Sequence, residues 1–298
     1  MTDSYRLRRA TAEDSRRAFD VFVPSVRDLA TRLNTPWEVE AESLWERLQP
    51  LYDHLAEHAA EWWVAEDAAD GTIIGYARSV ARGGLLELSE FFVDPQRQSG
   101  GVGAALLERA FPADRGEVRA IIATTDVRAQ ARYYRAGTAA RFPIVAMGAT
   151  PRTAEPDPAV EIVRADIGDI KTLRTIEADV LEFDRGDEFG WLLGLREGYL
   201  YRRGGETIGF AFIGASGSGP IAALHPDDQV PILAHVESRA AALELPNLSV
   251  EVPMVNEVAI RHLIGRGFRM DTFFTFLMSS RPFGRFDRFI GFAPPFVL

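Results

Sequence analysis

Residues 85–107 hold the densest pattern of chemistry in this chain. An apolar strand ends in Phe91-Phe92-Val93, and an Asp94-Pro95 turn leads into the loop Gln98-Ser99-Gly100-Gly101. An apolar helix then opens with Val102-Gly103-Ala104. Backbone N–H groups of such a loop, with a helix N-terminus behind them, form a concavity that favours an anion. Glycines at 101 and 103 would let the main chain approach a phosphate with no Cβ in the way, although a helix start needing only a tight turn would use them equally well. The loop does not end in Gly-Lys-Ser/Thr, so it is no P-loop, and it does not follow the first strand as a dinucleotide fingerprint does. The same strand carries two acids, Glu87 and Glu90. Strict alternation puts them on opposite faces unless a bulge intervenes.

Other chemistries are excluded or weakened by composition. With no cysteine in 298 residues there is no disulfide, thiolate metal site or cysteine nucleophile. Of the five histidines, His54 and His58 have the i,i+4 spacing of a metal motif but lack its glutamate, which reads as a solvated helix face. The net charge of -10 argues against nucleic acid and mildly favours cationic partners. No apolar run reaches the roughly 18 residues of a membrane span, and the first residues hold no signal-peptide core; the expected location is the cytoplasm.

Positioning the loop requires a scaffold. Periodicity reads the first half as a strand at 5–9, helices from 14 to about 61, strands at 62–65, 72–80 and 85–93, a helix at 102–110, a strand at 118–124, a helix at 127–135 and a strand at 142–147. That is an α/β (α+β) arrangement, a mixed twisted sheet flanked by helices. The second half repeats it. Thr11 with Asp14 and Asp166 with Asp169 are matching helix-start signals. Gly75 then matches Gly209, Pro95 matches Pro226 and Asp126 matches Asn256, at shifts of 134, 131 and 130. The first match, Arg9 on Arg164, is shifted by 155, so the first half carries extra length between Asp14 and Gly75. The expected organisation is two related domains, 1–150 and 151–280, joined through a proline-rich segment, with a phenylalanine-rich tail at 281–298.

Gln98-Ser99-Gly100-Gly101-Val102-Gly103 resembles the Gln/Arg-x-x-Gly-x-Gly/Ala signature of the GCN5-related N-acetyltransferase (GNAT) superfamily. Asp126-x-x-Ala129-x-x-x-Tyr133-x-x-x-Gly137 is similar to that family's Asn-x-x-Ala-x-x-Leu-Tyr-x-x-x-Gly-Phe helix, and the second half carries Asn256-x-x-Ala259-x-x-x-Leu263-x-x-x-Gly267-Phe268. The two halves together resemble a tandem member. The resemblance implies acetyl-CoA as cosubstrate and no metal. Its diphosphate would lie on Gln98, Ser99, Gly100, Gly101, Val102, Gly103 and Ala104, with Asp126 standing where the family has asparagine. The backbone at Phe92 or Val93 would supply the oxyanion donor and pair with the pantetheine arm, Tyr133 (or its neighbour Tyr134) would be the general acid, and Glu87 or Glu90 the base.

Aligning Pro95 with Pro226 lays Gly100, Gly101 and Gly103 on Pro231, Ile232 and Ala234, and the helix signature lays Tyr133 on Leu263. Proline lacks the N–H a phosphate needs, and leucine cannot donate a proton. The expected working half is therefore the first, transferring acetyl to a primary amine of a small molecule or peptide. The alternatives are a non-catalytic acetyl-CoA-binding module, or a tandem acyltransferase working through its C-terminal half, as mycothiol synthase does. Phe283, Phe286, Phe289, Phe292 and Phe296 in the tail would not stay in water, and the tail is expected to pack back across the two domains or across a homodimer interface.

Overall fold

Two glycines with left-handed φ, Gly83 at 51° and Gly84 at 103°, turn the chain between two apolar runs and make a hairpin of β-strands. That hairpin is the centre of the first half. The computed structural model describes residues 5–35, 37–98, 100–215, 217–295 and 298; Ser99 and Phe296 lie outside the described residues. Two compact units emerge, Met1–Ala139 with Met278–Arg281, and Ala140–Leu277 with Pro282–Leu298.

The first unit runs β1 (Tyr5–Arg9), α1 (Ser15–Arg32), α2 (Ala41–Glu57), β2 (Ala59–Asp67), β3 (Ile73–Arg82), β4 (Leu85–Val93), α3 (Val102–Ala110), β5 (Val118–Ala123) and α4 (Val127–Arg135). Its strands lie in the order β1-β2-β3-β4-β5, antiparallel up to β4 and parallel between β4 and β5. Helices cover both faces, so β3 is buried nearly throughout. On one face Phe22 of α1 meets Phe92 edge-on at 5.0 Å, and Tyr52 of α2 meets Tyr76. On the other, Ser79 donates to the Ala110 carbonyl at the end of α3. Residues from the chain's far end complete this unit: Ser280 donates its N–H to the Arg119 carbonyl at 2.9 Å and accepts the Arg119 N–H on its hydroxyl at 3.0 Å.

The second unit continues with β6 (Ala139–Ala149), β7 (Val160–Arg164), α5 (Ile170–Leu181), α6 (Glu188–Leu195), β8 (Glu197–Arg203), β9 (Glu206–Gly214), β10 (Gly217–Ala223), α7 (Gln229–Ala242), β11 (Leu248–Pro253), α8 (Glu257–Gly265), β12 (Arg269–Ser279) and β13 (Phe289–Ile290), with Ala139 and the last residues of β12, Met278 and Ser279, counted in the first unit. An antiparallel sheet β13-β10-β9-β8-β7 and the pair β6·β11 enclose a core that includes Val145, Tyr201, Ile232, Val250 and Ile290. The extra length of the first half sits in its helices, 18 and 17 residues in α1 and α2 against 12 and 8 in α5 and α6. The phenylalanine tail joins this unit: Phe286 packs edge-on to Phe283 and Phe289, and Phe292 stacks on Trp191. The proline-rich segment that follows β6 also lies within the second unit.

No helix among the described residues is long and apolar enough to cross a membrane. His54 does not lie on a solvated face; it is buried, its ring stacked on His58 at 4.3 Å. Burial follows from the apolar face of α2, which also buries Leu48, Leu51 and Leu55.

Candidate active site

The hairpin is irregular at one point. Arg78 pairs with Glu90 and Ser79 with Leu88, so Ser89 is an extra residue, a β-bulge in β4. The bulge places Glu87 and Glu90 on one face, together with Tyr76, Arg78, Val80 and Phe92. It also marks where β4 leaves β5: the parallel pairing covers Leu85 to Leu88 and goes no further. From residue 89 to 93 the strand has no β5 partner. Asp94 donates its N–H to the Ile74 carbonyl at 2.9 Å, which sets the alternation of the ladder. By that alternation Phe92 turns its backbone groups to β3, while Phe91 and Val93 turn theirs toward the open side. Of the two expected donors, then, Val93 faces the opening and Phe92 does not; Phe91, absent from the expectation, does. The Val93 carbonyl already accepts from Ser25 Oγ at 3.3 Å and from Gln98 Nε2 at 3.4 Å.

At the end of this opening stands the N-terminus of α3. Gly101 caps it with φ 85°, a left-handed conformation that side chains rarely adopt. Val102 and Gly103, the first helical positions, have no intrahelical carbonyl to donate to. Ala104 spends its N–H on the Gly101 carbonyl at 3.0 Å. Gly103 answers a packing need: a Cβ there would come within 3.2 Å of the Phe91 ring, and within 3.6 Å of Arg132 Nε. Gly100 is exposed, with only the Arg97 carbonyl near its missing Cβ. Arg132 is a residue that sequence reasoning missed. It lies half-buried on α4 beside the helix start and forms no ion pair among the described residues. No spacing rule links positions 103 and 132, so only the folded chain brings them together.

The expected acid and the expected bases lie on opposite faces of the sheet. Tyr133 is buried, its ring 6.0 Å from Phe91, whereas Tyr134 is 52% exposed; only the first points into the unit. Burial pushes the Tyr133 phenol well above its ordinary value, and the nearby Asp126 charge adds to the shift. Asp126 is the N-cap of α4, accepting from the Arg128 N–H at 3.0 Å and from Arg32 at 3.0 Å. Burial opposes its charge, yet those bonds hold the carboxyl below its ordinary value.

Glu87 and Glu90 are both neutralised by arginine. Glu87 accepts from Arg82 at 2.7 Å, both side chains nearly inaccessible. Glu90 accepts from Tyr76 at 2.9 Å on one oxygen and from Arg78 at 2.6 Å on the other, and neither Arg78 nor Glu90 has any exposed side chain. Arg78 is further enclosed by the Trp62 and Tyr52 rings. A cleft of about 360 Å³ opens between α1 and the β2–β3 turn, its lining including Asp20, Asp70, Asp94 and Arg17. Among the described residues no group of three or more metal-binding side chains is close enough to hold an ion.

The bulged strand β4, its splay from β5 and the start of α3 all lie inside the one stretch that matches a known family. Residues 58–137 match the acetyltransferase (GNAT) domain model. That stretch is similar to the GNAT family, and the chain has the GNAT fold. A candidate acetyltransferase from Pyrococcus horikoshii is similar over 97% of this chain and 94% of its own, at 14% identity and a TM-score of 0.73. A GCN5-related N-acetyltransferase from Sphaerobacter thermophilus covers 95% of this chain and 98% of its own, at 15% identity and a TM-score of 0.63. A tandem GNAT protein from the clavulanic acid biosynthesis pathway covers 93% and 99%, at 14% identity and a TM-score of 0.60. No curated protein matches the sequence. The GNAT-fold likeness therefore spans both units, whereas the domain model matches only the first.

The second GNAT-like unit keeps the strand irregularity. Gly75 pairs with Val93 and Gly209 with Ala223; Ser79 pairs with Leu88 and Ile213 with Ser218. On this register Ile221 holds the place of Phe91 and Ala222 that of Phe92. The 3-10 turns Pro95–Arg97 and Pro226–Asp228 also correspond, but α7 begins directly at Gln229, whereas α3 begins only at Val102. Helix replaces loop in the second unit.

Proposed function

We propose that the chain is a cytoplasmic N-acetyltransferase that moves the acetyl group of acetyl-CoA to a primary amine of a small molecule or peptide, working through its first unit. The observation that carries this is the open edge of β4 at Phe91 and Val93, ending at a helix N-terminus whose first two N–H groups have no partner among the described residues. Acetyl-CoA supplies the thioester. Val102 and Gly103 offer two N–H groups, and Arg132 a guanidinium, to its diphosphate. The Phe91 and Val93 backbone adds the pantetheine arm as a strand would be added. An N–H from that edge stabilises the charge developing on the carbonyl oxygen.

Tyr133, kept protonated by burial, donates to the sulfur as the C–S bond breaks and the C–N bond forms. Because Glu87 and Glu90 are tied to arginines, neither is assigned as base; the amine enters in its neutral form and its own proton goes to solvent. The three aspartates of the cleft beside α1 favour a cationic acceptor in its encounter with this surface.

The test is thiol release from acetyl-CoA with a panel of polyamines, aminoglycosides and peptide N-termini, with Tyr133→Phe as control. Turnover that the variant loses supports the assignment. Tight coenzyme binding with no turnover on any amine would leave a coenzyme-binding module.

A further inference from the structure

The second unit's counterpart of the open edge is filled. Strand β13, from the C-terminal tail, pairs antiparallel with β10 through Ile221↔Ile290 and Ala222↔Phe289, the places that Phe91 and Phe92 hold in the first unit. On its other side Gly291 bridges to Glu251 of β11, the counterpart of β5. A stretch of polypeptide thus lies between two strands that would otherwise splay apart.

The residues around this stretch are fitted to a peptide backbone. Gln229 and Asn256, which occupy the positions of Gln98 and Asp126, hydrogen-bond each other. Gln229 donates to the Asp287 carbonyl at 3.0 Å and Asn256 to the Phe289 carbonyl at 3.4 Å. Arg288 reaches back to the Leu224 carbonyl. A Cβ on Gly219 would overlap the Gly291 oxygen at 2.1 Å, and one on Gly217 the Ala293 oxygen at 2.3 Å. Arg196, buried with no carboxylate partner among the described residues, donates to the Ser218 and Ala293 carbonyls at 2.9 and 2.5 Å and lies 3.8 Å over the Phe292 ring. Phe289 and Ile290 are fully buried.

We propose that residues 286–293 are the resident ligand of the second unit: an extended segment of the chain's own C-terminus occupies the groove that the first unit offers to a pantetheine arm. The comparison with pantetheine rests on the proposed coenzyme site of the first unit; the occupancy of the groove by peptide does not. The second unit is by this account a peptide-holding domain, recognising main-chain carbonyls through Gln229, Asn256 and Arg196, with no loop for a diphosphate. Its groove accepts a strand of suitable sequence in place of the tail and refuses coenzyme A.

The test uses the full chain. Deuterium uptake is followed for peptides covering 286–293 and 218–223, in the native protein, in Gln229→Ala with Asn256→Ala, and in Arg288→Gln, which leaves both groove amides in place. The native segment should exchange as slowly as β9. Both variants should raise exchange in the tail and in β10 together by about tenfold, leaving β8 unchanged. Excess synthetic peptide of residues 286–295 should restore protection of 218–223 in the variants, and coenzyme A should not. A native tail that exchanges like a free peptide, a rise confined to the tail, or protection restored by coenzyme A and not by peptide would each overturn the proposal. Failure of the first unit to bind coenzyme leaves all these readouts untouched.

Discussion

Arg78 and Glu90 show how a single pair can hold a site without doing chemistry in it. Taking both charges out of water is costly, and the pair is tolerable only because Tyr76, the Tyr52 carbonyl and two aromatic rings satisfy the remaining valences. Truncating one partner leaves the other charge uncompensated. Glu90→Gln should therefore cost about 3–5 kcal/mol of stability, read from urea unfolding. Combining it with Arg78→Met should recover most of that; a double variant as unstable as the single would mean that the charge is not the cause. Tyr133 belongs to the opposite case. Its phenol packs on Phe91, so Tyr133→Phe removes one oxygen and little packing. If the phenol is the proton donor, kcat should fall by about 10²–10³ while coenzyme affinity changes less than about twofold. With no side-chain base, log kcat/KM should rise with pH until the acceptor amine is neutral and shift when an amine of different pKa is used. A plateau fixed near pH 5 for every amine would restore a carboxylate base.

At the level of elements, what was legible in the sequence was whatever is local. Helices α3 and α4 and strand β4 begin and end where periodicity, the Asp94 turn and the Asp126 cap put them, because each signal sits inside the element it defines. A bulge between Glu87 and Glu90 was allowed for by the sequence, but nothing in it fixed one at Ser89. A bulge is a mismatch between two strands, and Ser89 on its own is an ordinary strand residue. The ion pairs of Glu87 and Glu90 were hidden for the same reason, since their partners lie across the hairpin.

The loop glycines were read as giving room to a phosphate, whereas the fold assigns them two different duties. Gly101 supplies a backbone conformation and Gly103 a contact with Phe91. These can be separated. Gly101→Asn should be tolerated better than Gly101→Val, because asparagine accepts left-handed φ and a β-branched side chain does not; the difference should be about 1–2 kcal/mol in thermal unfolding. Gly103→Ala should act through Phe91, and shortening that ring with Phe91→Leu in the same chain should relieve part of its cost. Equal penalties at 101 for Asn and Val would show that φ is not what the position requires.

At the scale of the whole molecule, the second unit fills the groove between β10 and β11 with its own tail, and its ionisable groups respond to pH in two directions. In the second unit Glu197 is held down to about 2, chiefly by Arg239, and burial lowers His235 to about 4. Both groups have depressed values. Their stabilising contribution is present above the unfolded values and is lost on acidification, for His235 between about pH 6.5 and 4.

Glu251, whose backbone bridges to Gly291 of the tail, runs the other way. Burial, with Asp271 nearby, pushes its carboxyl up to about 7. A raised value means that the folded state prefers the proton, so the contribution is complete below the ordinary value of 4.5 and disappears as pH rises through about 7. Above pH 7 the ionised Glu251 is a liability placed beside the tail strand. Glu251→Gln, which keeps the shape and removes the charge, should be more stable than the native chain at pH 8 by about 2–3 kcal/mol. The gain should shrink to nothing by about pH 4.5, where both side chains are neutral. Unfolding curves of the two chains at pH 4.5, 6, 7 and 8, compared pairwise so that the other acids cancel, measure this directly. A stability difference independent of pH would show that Glu251 ionises freely and that the tail strand is indifferent to it.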